Sequence, residues 1–216
     1  MIEKIISVHI PKTAGTTFKS YLDLAYKNNV VTISSKPLFR RCEIDKKQNN
    51  NNLDISLYNE FVIHGHFTFD DITYNENYFY ITWLRDPVER VISHYYFWKN
   101  RPDIHMHPIE EMIKRGELSL VEFAQIPCIR NLGLYFLGKQ EIEKINFIGI
   151  TELFDESMQI LEQKLGTQLL NNNIVNQRVN VKKDLIPFEI RKEIKEQNLE
   201  EYALYNVLKN RIRKEC

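Results

Sequence analysis

The 216-residue chain has no excess of charge of either sign and no long apolar run. Lysine plus arginine equals aspartate plus glutamate at 29 each, so no net field attracts nucleic acid or an anionic membrane. No apolar run reaches the roughly 18 residues that a membrane span needs, and the N-terminal residues lack a signal-peptide layout. We therefore expect a soluble, cytoplasmic protein that binds neither nucleic acid nor membrane.

Cysteine is also scarce. Cys42, Cys128 and Cys216 are odd in number, widely spaced and in no C-x-x-C pattern. This argues against a disulfide framework or a zinc site and favours a reducing compartment. Hydrophobic residues make up 43% of the chain, which is enough for a sizeable core.

Apolar, β-rich runs alternate with helical patterns, which indicates a three-layer α/β fold with a central, mostly parallel sheet flanked by helices. We predict strands near residues 4–10, 30–34, 61–66, 77–84 and 146–150. We predict helices at about 15–28, 87–99, 107–115, 119–125, 129–137, 152–165, 187–197 and 199–213. The length suits a single domain over 1–216, in which residues 185–216 form a helical C-terminal appendage packed on the body.

An anion site is indicated near the N-terminus, where the strand-like run ends at Pro11 and a short loop leads into a helix. Loop N–H groups and the positive end of a helix favour a phosphate or a sulfate, and a lysine adds a full charge. The candidate binding residues are Lys12, Thr13, Ala14, Gly15, Thr16 and Thr17. Gly15 lets the backbone approach the ligand closely. The alternative is an ordinary strand-to-helix turn with a capping threonine.

A second candidate site follows the fourth predicted strand. Arg85 comes where that strand ends, and Asp86-Pro87 is a strong signal for the start of a helix. Ser93 lies eight residues beyond Arg85, so the guanidinium and the hydroxyl are candidates for binding one phosphate. The alternative is that Arg85 pairs with Asp86 or Glu89 and that Ser93 faces a neighbouring helix.

The third candidate site is the segment F-V-I-H-G-H-F (61–67), in which His64 and His66 are two residues apart. On a strand both point to one face, while Gly65 permits close packing on the other. Such a pair suits a general base with a partner, or two metal ligands. No cysteine or carboxylate stands nearby at ligand spacing, which favours the base and predicts no metal site.

Together these segments resemble the sulfotransferases that use 3′-phosphoadenosine-5′-phosphosulfate (PAPS), most closely the branch with heparan sulfate and uronyl 2-O-sulfotransferases. H-I-P-K-T-A-G-T-T-F (9–18) is similar to that family's 5′-phosphosulfate loop, and L-R-D-P-V-E-R-V-I-S-H-Y-Y-F (84–97) to its 3′-phosphate motif. H-G-H-F resembles the catalytic strand end, and F-I-G-I-T-E-L-F-D (147–155) resembles a further segment. Order and spacing agree across residues 5–155.

The resemblance implies a P-loop-like sulfotransferase fold, PAPS as co-substrate, PAP as product and no metal. It implies that His66 is the general base, that Lys12 stabilises the leaving oxygen and that His64 orients His66 or touches the acceptor. Arg85 and Ser93 would bind the 3′-phosphate, and the loop residues the 5′-phosphate. The acceptor implied is a small molecule or a glycan, with a sugar hydroxyl favoured. The segment 131–138 departs from the family because it lacks a glutamine and an arginine that members often carry.

Two alternatives belong to other classes. A P-loop nucleotide kinase or NTPase would need a G-K-[ST] sequence, whereas here the lysine precedes the glycine. A non-catalytic PAP- or glycan-binding module is the other alternative. The basic stretch 167–186 is either a lid over the nucleotide or a solvated loop. A group of residues on the helix after Arg85 forms either a sugar-stacking wall or ordinary helix packing: Tyr95, Tyr96, Phe97, Trp98 and Arg101.

Overall fold

A computed structural model describes residues 1–35, 41, 53–102, 107–139, 142–169 and 186–215. Five parallel strands form its central sheet: β1 Lys4–Val8, β2 Val30–Ser34, β3 Val62–His66, β4 Tyr78–Leu84 and β5 Phe147–Ile150. Their order across the sheet is β2-β3-β1-β4-β5. The predicted α/β class with a parallel central sheet is confirmed.

The described helices are α1 Gly15–Tyr26, α2 Pro87–Asn100, α3 Pro108–Arg115, α4 Leu120–Gln125, α5 Leu132–Leu137, α6 Phe154–Leu165, α7 Phe188–Glu196 and α8 Leu199–Glu215. Each predicted strand and helix is present, with ends that differ by up to three residues. Thr151, which precedes the predicted helix 152–165, does not cap α6. Its hydroxyl donates to the carbonyl of Leu84 (3.0 Å), and residues 151–153 form a 3₁₀ turn before α6 begins.

Helices cover both faces of the sheet. On one face the Trp83 ring packs on Phe18 of α1 and Phe154 of α6, with ring centroids 5.2 and 4.6 Å apart. Leu84, the next residue along β4, faces the other side, where its side chain lies beside Gly133 of α5. The alternation of side chains along β4 therefore joins the two helical layers to one sheet.

The C-terminal helices are tied to the body through a buried ion pair. Arg90 of α2 and Glu201 of α8 are 0% and 1% exposed, and Arg90 Nε donates to Glu201 Oε1 at 3.0 Å. Glu201 Oε2 also accepts from the backbone N–H of Gly133 (3.0 Å). Three helices that are distant in sequence thus share one carboxylate.

Cys128 is disulfide-bonded, whereas the cysteine pattern argued against a disulfide framework and favoured a reducing compartment. Spacing alone gave no sign of it because the chain has only three cysteines, far apart in sequence. Cys42 and Cys216 lie outside the described residues. So does most of the basic stretch 167–186, which was predicted to be either a lid or a solvated loop. Within the described residues, the helices are all too short or too polar to cross a bilayer.

Candidate active site

The predicted site residues come together at one edge of the sheet. Parallel strands end at the same edge, and here β1, β3 and β4 are adjacent, with Val8 in register with both Gly65 and Thr82. The loop after β1, the end of β3 and the residue after β4 therefore meet. This edge is where ligands bind in open parallel sheets.

The loop after β1 is shaped by two left-handed residues. Lys12 and Ala14 have φ of 70° and 65°, and α1 begins directly afterwards at Gly15. Left-handed residues in a tight turn favour a concave array of N–H groups, the geometry of an anion-binding nest. Thr13 is 1% exposed, and its hydroxyl donates to the carbonyl of Ile10 (2.9 Å), which shapes the loop. Thr17 is also buried, while Thr16 is exposed.

Lys12 joins this loop to two other elements. Its ammonium lies 4.1 Å from the ring centroid of Phe97 on α2, a cation–π contact. Its backbone carbonyl accepts from Nη1 of Arg85 at 3.1 Å. The two cations predicted to bind phosphate are thus held at one site, although the sequence separates them by 73 residues.

Arg85 is mostly buried and surrounded by carboxylates that stay out of hydrogen-bonding distance. Its Nε atom is buried with no hydrogen-bond partner, 3.8 Å from Glu152 Oε1, and its Nη2 atom lies 4.0 Å from Glu89 Oε2. The predicted alternative, a pair with Glu89, is therefore present but long. Burial lowers the pKa of Arg85, and the nearby carboxylates raise it. An arginine in this state has donors available for an anion.

Both carboxylates beside Arg85 are held by the C-terminal helices. Tyr205 of α8 donates its hydroxyl to Glu152 Oε2 (3.0 Å), and the N–H of Asp86 donates to Glu152 Oε1 (3.2 Å). Arg191 of α7 forms an ion pair of 2.7 Å with Glu89. Burial raises the pKa of Glu152 despite these donors.

Ser93 lies on α2, one turn after Glu89 on the same face of the helix and partly buried. This helix starts as predicted: Oδ1 of Asp86 accepts from the N–H groups of Val88 and Glu89, at 2.9 and 3.3 Å, and Pro87 is the first helical residue. Ser93 therefore lies one turn beyond Glu89, which itself approaches Arg85, on a helix whose first turn is fixed.

His66 is held in one tautomer. Its Nδ1 atom lies 2.8 Å from the backbone carbonyl of His9. A carbonyl oxygen can only accept, so Nδ1 carries the proton and the lone pair is on Nε2. Burial lowers the pKa of His66, while the bond to His9 raises it. A neutral imidazole with a lone pair on Nε2 is able to accept a proton.

His64 is buried more deeply. It is 2% exposed, and its Nδ1 atom pairs with the hydroxyl of Ser7 at 2.8 Å. Burial, with smaller effects of His66 and Lys19, lowers the pKa of His64 to about 3. Gly65 does permit the close packing predicted for it, because a Cβ there would lie 1.8 Å from the carbonyl oxygen of Ile33 on β2.

His9 also belongs to this cluster, although it was not among the predicted site residues. Its ring stacks on His66 and His64, with centroids 4.2 and 5.1 Å apart, so the two predicted histidines do share a face. A Cβ on Gly15 would lie 2.0 Å from the His9 ring, so this glycine makes room for an imidazole. The only available signal was the position of His9, directly after the end of β1.

The aromatic segment of α2 serves mainly in packing. Tyr95 and Trp98 are 7% and 3% exposed, and the Tyr95 hydroxyl donates to the carbonyl of Leu118 (3.0 Å). Arg101 forms an ion pair with Glu110 (3.2 Å). Of the residues predicted as a sugar-stacking wall, Phe97 is the most open, at 43% exposed, and it contacts Lys12.

The histidine cluster lacks the ligands of a metal site. In the part of the chain that the structure describes, no three histidine, cysteine, aspartate or glutamate side chains are grouped to hold a metal ion. His66 and His64 instead use their Nδ1 atoms for hydrogen bonds to protein groups.

Comparisons with known proteins agree with the observed fold, and one of them covers the loop after β1. Among solved structures, mouse sulfotransferase SULT7A1 complexed with PAP is similar over 98% of this chain and 89% of its own, with a TM-score of 0.52 and 12% sequence identity. No curated protein sequence matches. A family model described as "Sulfotransferase family" matches residues 2–125, more than half of the chain, which include the loop after β1, both histidines of β3 and Arg85. The chain belongs to the sulfotransferase family.

Proposed function

We propose that the protein transfers the sulfuryl group of PAPS to an acceptor hydroxyl, with His66 as general base. The observation that carries this proposal is the tautomer of His66, whose Nε2 lone pair is free of the Nδ1 bond to the His9 carbonyl. This base lies at the same sheet edge as the lysine loop and Arg85. The solved relative bound to PAP supports the choice of nucleotide.

The cations and the loop suit the two phosphate groups of PAPS. The loop 12–17 and the N-terminus of α1 would hold the 5′-phosphosulfate, since N–H groups at a helix start favour anions. Arg85 would bind the 3′-phosphate together with Ser93. The buried Nε of Arg85, which has no hydrogen-bond partner, supports this role because an anion would satisfy it.

The chemistry is an in-line displacement at sulfur. His66 accepts the proton of the acceptor hydroxyl as the new S–O bond forms, and the bond between sulfur and the bridging oxygen breaks. Lys12 stabilises the charge that develops on that oxygen as PAP leaves. His64 is too buried, and too closely bonded to Ser7, to contact an acceptor. Its role in this proposal is to orient the other histidines of the cluster. Positioning and electrostatics are the main contributions in such transfers.

The acceptor we propose is a sugar hydroxyl, as in the uronyl 2-O-sulfotransferase branch. The paired histidines of H-G-H-F and the loop H-I-P-K-T-A-G-T-T-F support this branch. The partly exposed Phe97, next to Lys12, offers an aromatic surface for a sugar ring. The equal number of acidic and basic residues gives no preference for a polyanionic glycan.

Two measurements test this proposal. Thermal unfolding with PAP should show stabilisation, about 2.7 kcal/mol at 100-fold the dissociation constant. Labelled PAPS should then transfer its sulfuryl group to one class in a panel of saccharides, phenols and lipids. His66→Ala should lower turnover by about 10²–10⁴-fold while PAP still stabilises the protein.

Controls separate the alternatives. His107→Asn is a matched histidine variant, because His107 caps α3 through its side chain and asparagine is a good cap. It should leave turnover unchanged. Stabilisation by ATP only with magnesium, and none by PAP, would instead support a kinase or NTPase. PAP binding without transfer to any acceptor would support a binding module, and full activity of His66→Ala would remove the base assignment.

A further inference from the structure

The guanidinium of Arg85 lies between two carboxylates, neither of which forms a hydrogen bond with it. Glu152 and Glu89 approach to 3.8 and 4.0 Å, beyond the length of a charge-assisted hydrogen bond. Their side chains are 27% and 22% exposed, so a shift of about 1 Å would be needed for direct bonds to Arg85. Other contacts must therefore restrain these two carboxylates from pairing directly with Arg85.

Each carboxylate is held by a residue of the C-terminal helices, and Glu152 Oε1 also accepts from the N–H of Asp86 at 3.2 Å. The Tyr205 hydroxyl donates to Glu152 Oε2 at 3.0 Å, and Tyr205 itself is 1% exposed, so its position is fixed by packing. Arg191 binds Glu89 Oε1 at 2.7 Å. Tyr205 and Arg191 are on α8 and α7, whereas both carboxylates flank the end of β4.

We propose that α7 and α8 keep Arg85 available for an anion by restraining its two competing carboxylates. Tyr205 and Arg191 are positioning residues: they act on Arg85 through Glu152 and Glu89. This inference rests on the proposed function, in which the anion is the 3′-phosphate of the nucleotide. It assigns a role in nucleotide selection to the part of the chain beyond residues 2–125 that the family model covers.

The restraint predicts a specific failure when it is removed. Without the Tyr205 hydroxyl, Glu152 turns towards Arg85 and pairs with it directly. A bound 3′-phosphate must then break that ion pair, whereas a ligand without a 3′-phosphate is unaffected. Selectivity for the 3′-phosphate should fall, while the 5′-phosphate site keeps its affinity.

Two nucleotides read out this difference: PAP, and adenosine 5′-monophosphate (AMP), which lacks the 3′-phosphate. Calorimetric titration of the full chain should show that Tyr205→Phe lowers the affinity for PAP by about 5-fold or more and leaves the affinity for AMP unchanged. Tyr202→Phe is the matched control, because it removes a hydroxyl from the same helix and keeps the ring that packs near Tyr205 and Lys195. It should change neither affinity.

A double-mutant cycle then tests whether Tyr205 acts through Glu152. In a Glu152→Gln background the neutral amide no longer competes for Arg85. Tyr205→Phe should then have no further effect on the ratio of PAP affinity to AMP affinity. Arg191→Gln should likewise lower the ratio of PAP affinity to AMP affinity. In a Glu89→Gln background, Arg191→Gln should no longer change that ratio. If Arg191→Gln lowers PAP affinity equally in the Glu89→Gln background, Arg191 touches the phosphate itself and its positioning role is wrong.

The remaining outcomes are also decisive. Equal loss of PAP and AMP affinity in Tyr205→Phe means that the hydroxyl only supports the fold, which overturns the inference. An unchanged ratio in Tyr205→Phe overturns it as well, while the proposed function stands. If the unmodified protein fails to prefer PAP over AMP, the proposed function fails first, and the inference fails with it.

Discussion

At the scale of single residues, the backbone carbonyl of His9 decides which nitrogen of His66 can accept a proton. The contact of 2.8 Å fixes the tautomer without any charged partner. The His9 ring then stacks on the His66 ring at 4.2 Å, which limits how that imidazole can rotate. A single residue after β1 thus fixes both the protonation and the orientation of the proposed base.

Gly15 provides a test of this arrangement. Gly15→Ala places a methyl group 2.0 Å from the His9 ring, so the ring or the loop must move. We expect a loss of about 1–3 kcal/mol in the free energy of unfolding, typical of overpacking, and a loss of transferase activity as His66 is displaced. Urea unfolding and turnover measure the two effects. In a His9→Ala background the same change should cost much less, and an equal cost there would contradict the collision.

The sequence identified charged residues more readily than their supports. Lys12, Arg85 and His66 were candidates because each stands at or just after the end of a predicted strand, where parallel sheets bind ligands, and the fold brings them to one edge. Thr13 was expected to contribute to ligand binding, but its hydroxyl donates a hydrogen bond to the backbone carbonyl of Ile10 in the same loop. His9 was missed because its importance depends on stacking between strands, which no local pattern encodes.

At the scale of elements, the sequence predicted a helix start where the capping residues are themselves the signal. Asp86-Pro87 predicted the start of α2, and the structure shows both the capping bonds and proline at the first helical position. The bonds from Tyr205 to Glu152 and from Arg191 to Glu89 could not be predicted. They join residues 53 and 102 positions apart, and only the packing of α7 and α8 brings them together.

The cap of α2 matters because this helix carries Glu89 and Ser93. Asp86→Ala removes the acceptor for two N–H groups and should lower the free energy of unfolding by about 1 kcal/mol. PAP affinity should fall too, since the first turn of the helix frays beside Arg85. Asp86→Asn keeps a capping oxygen and is the control for the lost charge, with stability near that of the unmodified chain. Equal destabilisation by both changes in urea unfolding would mean that the charge, not the cap, is what α2 needs.

At the scale of the whole molecule, one buried carboxylate, that of Glu201, joins the C-terminal helix α8 to α2 and α5. Arg90, Gly133 and Asn198 all lie in the network around Glu201, where Arg90 also donates to the carbonyl of Ile129. Breaking a buried pair strands a charge and is costly, about 3–5 kcal/mol. The single domain over 1–216 therefore remains our prediction, and this network is the described contact that supports it.

Buried histidines also make the whole molecule sensitive to acid. His64 and His94 are each 2% exposed, and burial lowers both pKa values, that of His64 to about 3. In the unfolded chain each imidazole takes up a proton near its ordinary pKa of about 6.5, while the folded form stays neutral. The unfolded state therefore binds more protons, and stability falls as the pH drops below about 6.5.

The slope of this loss can be measured for one residue. Each such histidine should contribute about 1.4 kcal/mol per pH unit, and the range from pH 6.5 to 5 separates it from most carboxylates. His94→Phe removes a buried Nδ1 that has no hydrogen-bond partner and keeps an aromatic ring beside Trp98 and Phe123. Urea unfolding at pH 7, 6 and 5 should show a slope shallower by about that amount. If the variant keeps the slope of the unmodified chain, His94 takes up its proton in the folded state and its burial does not cause the acid sensitivity.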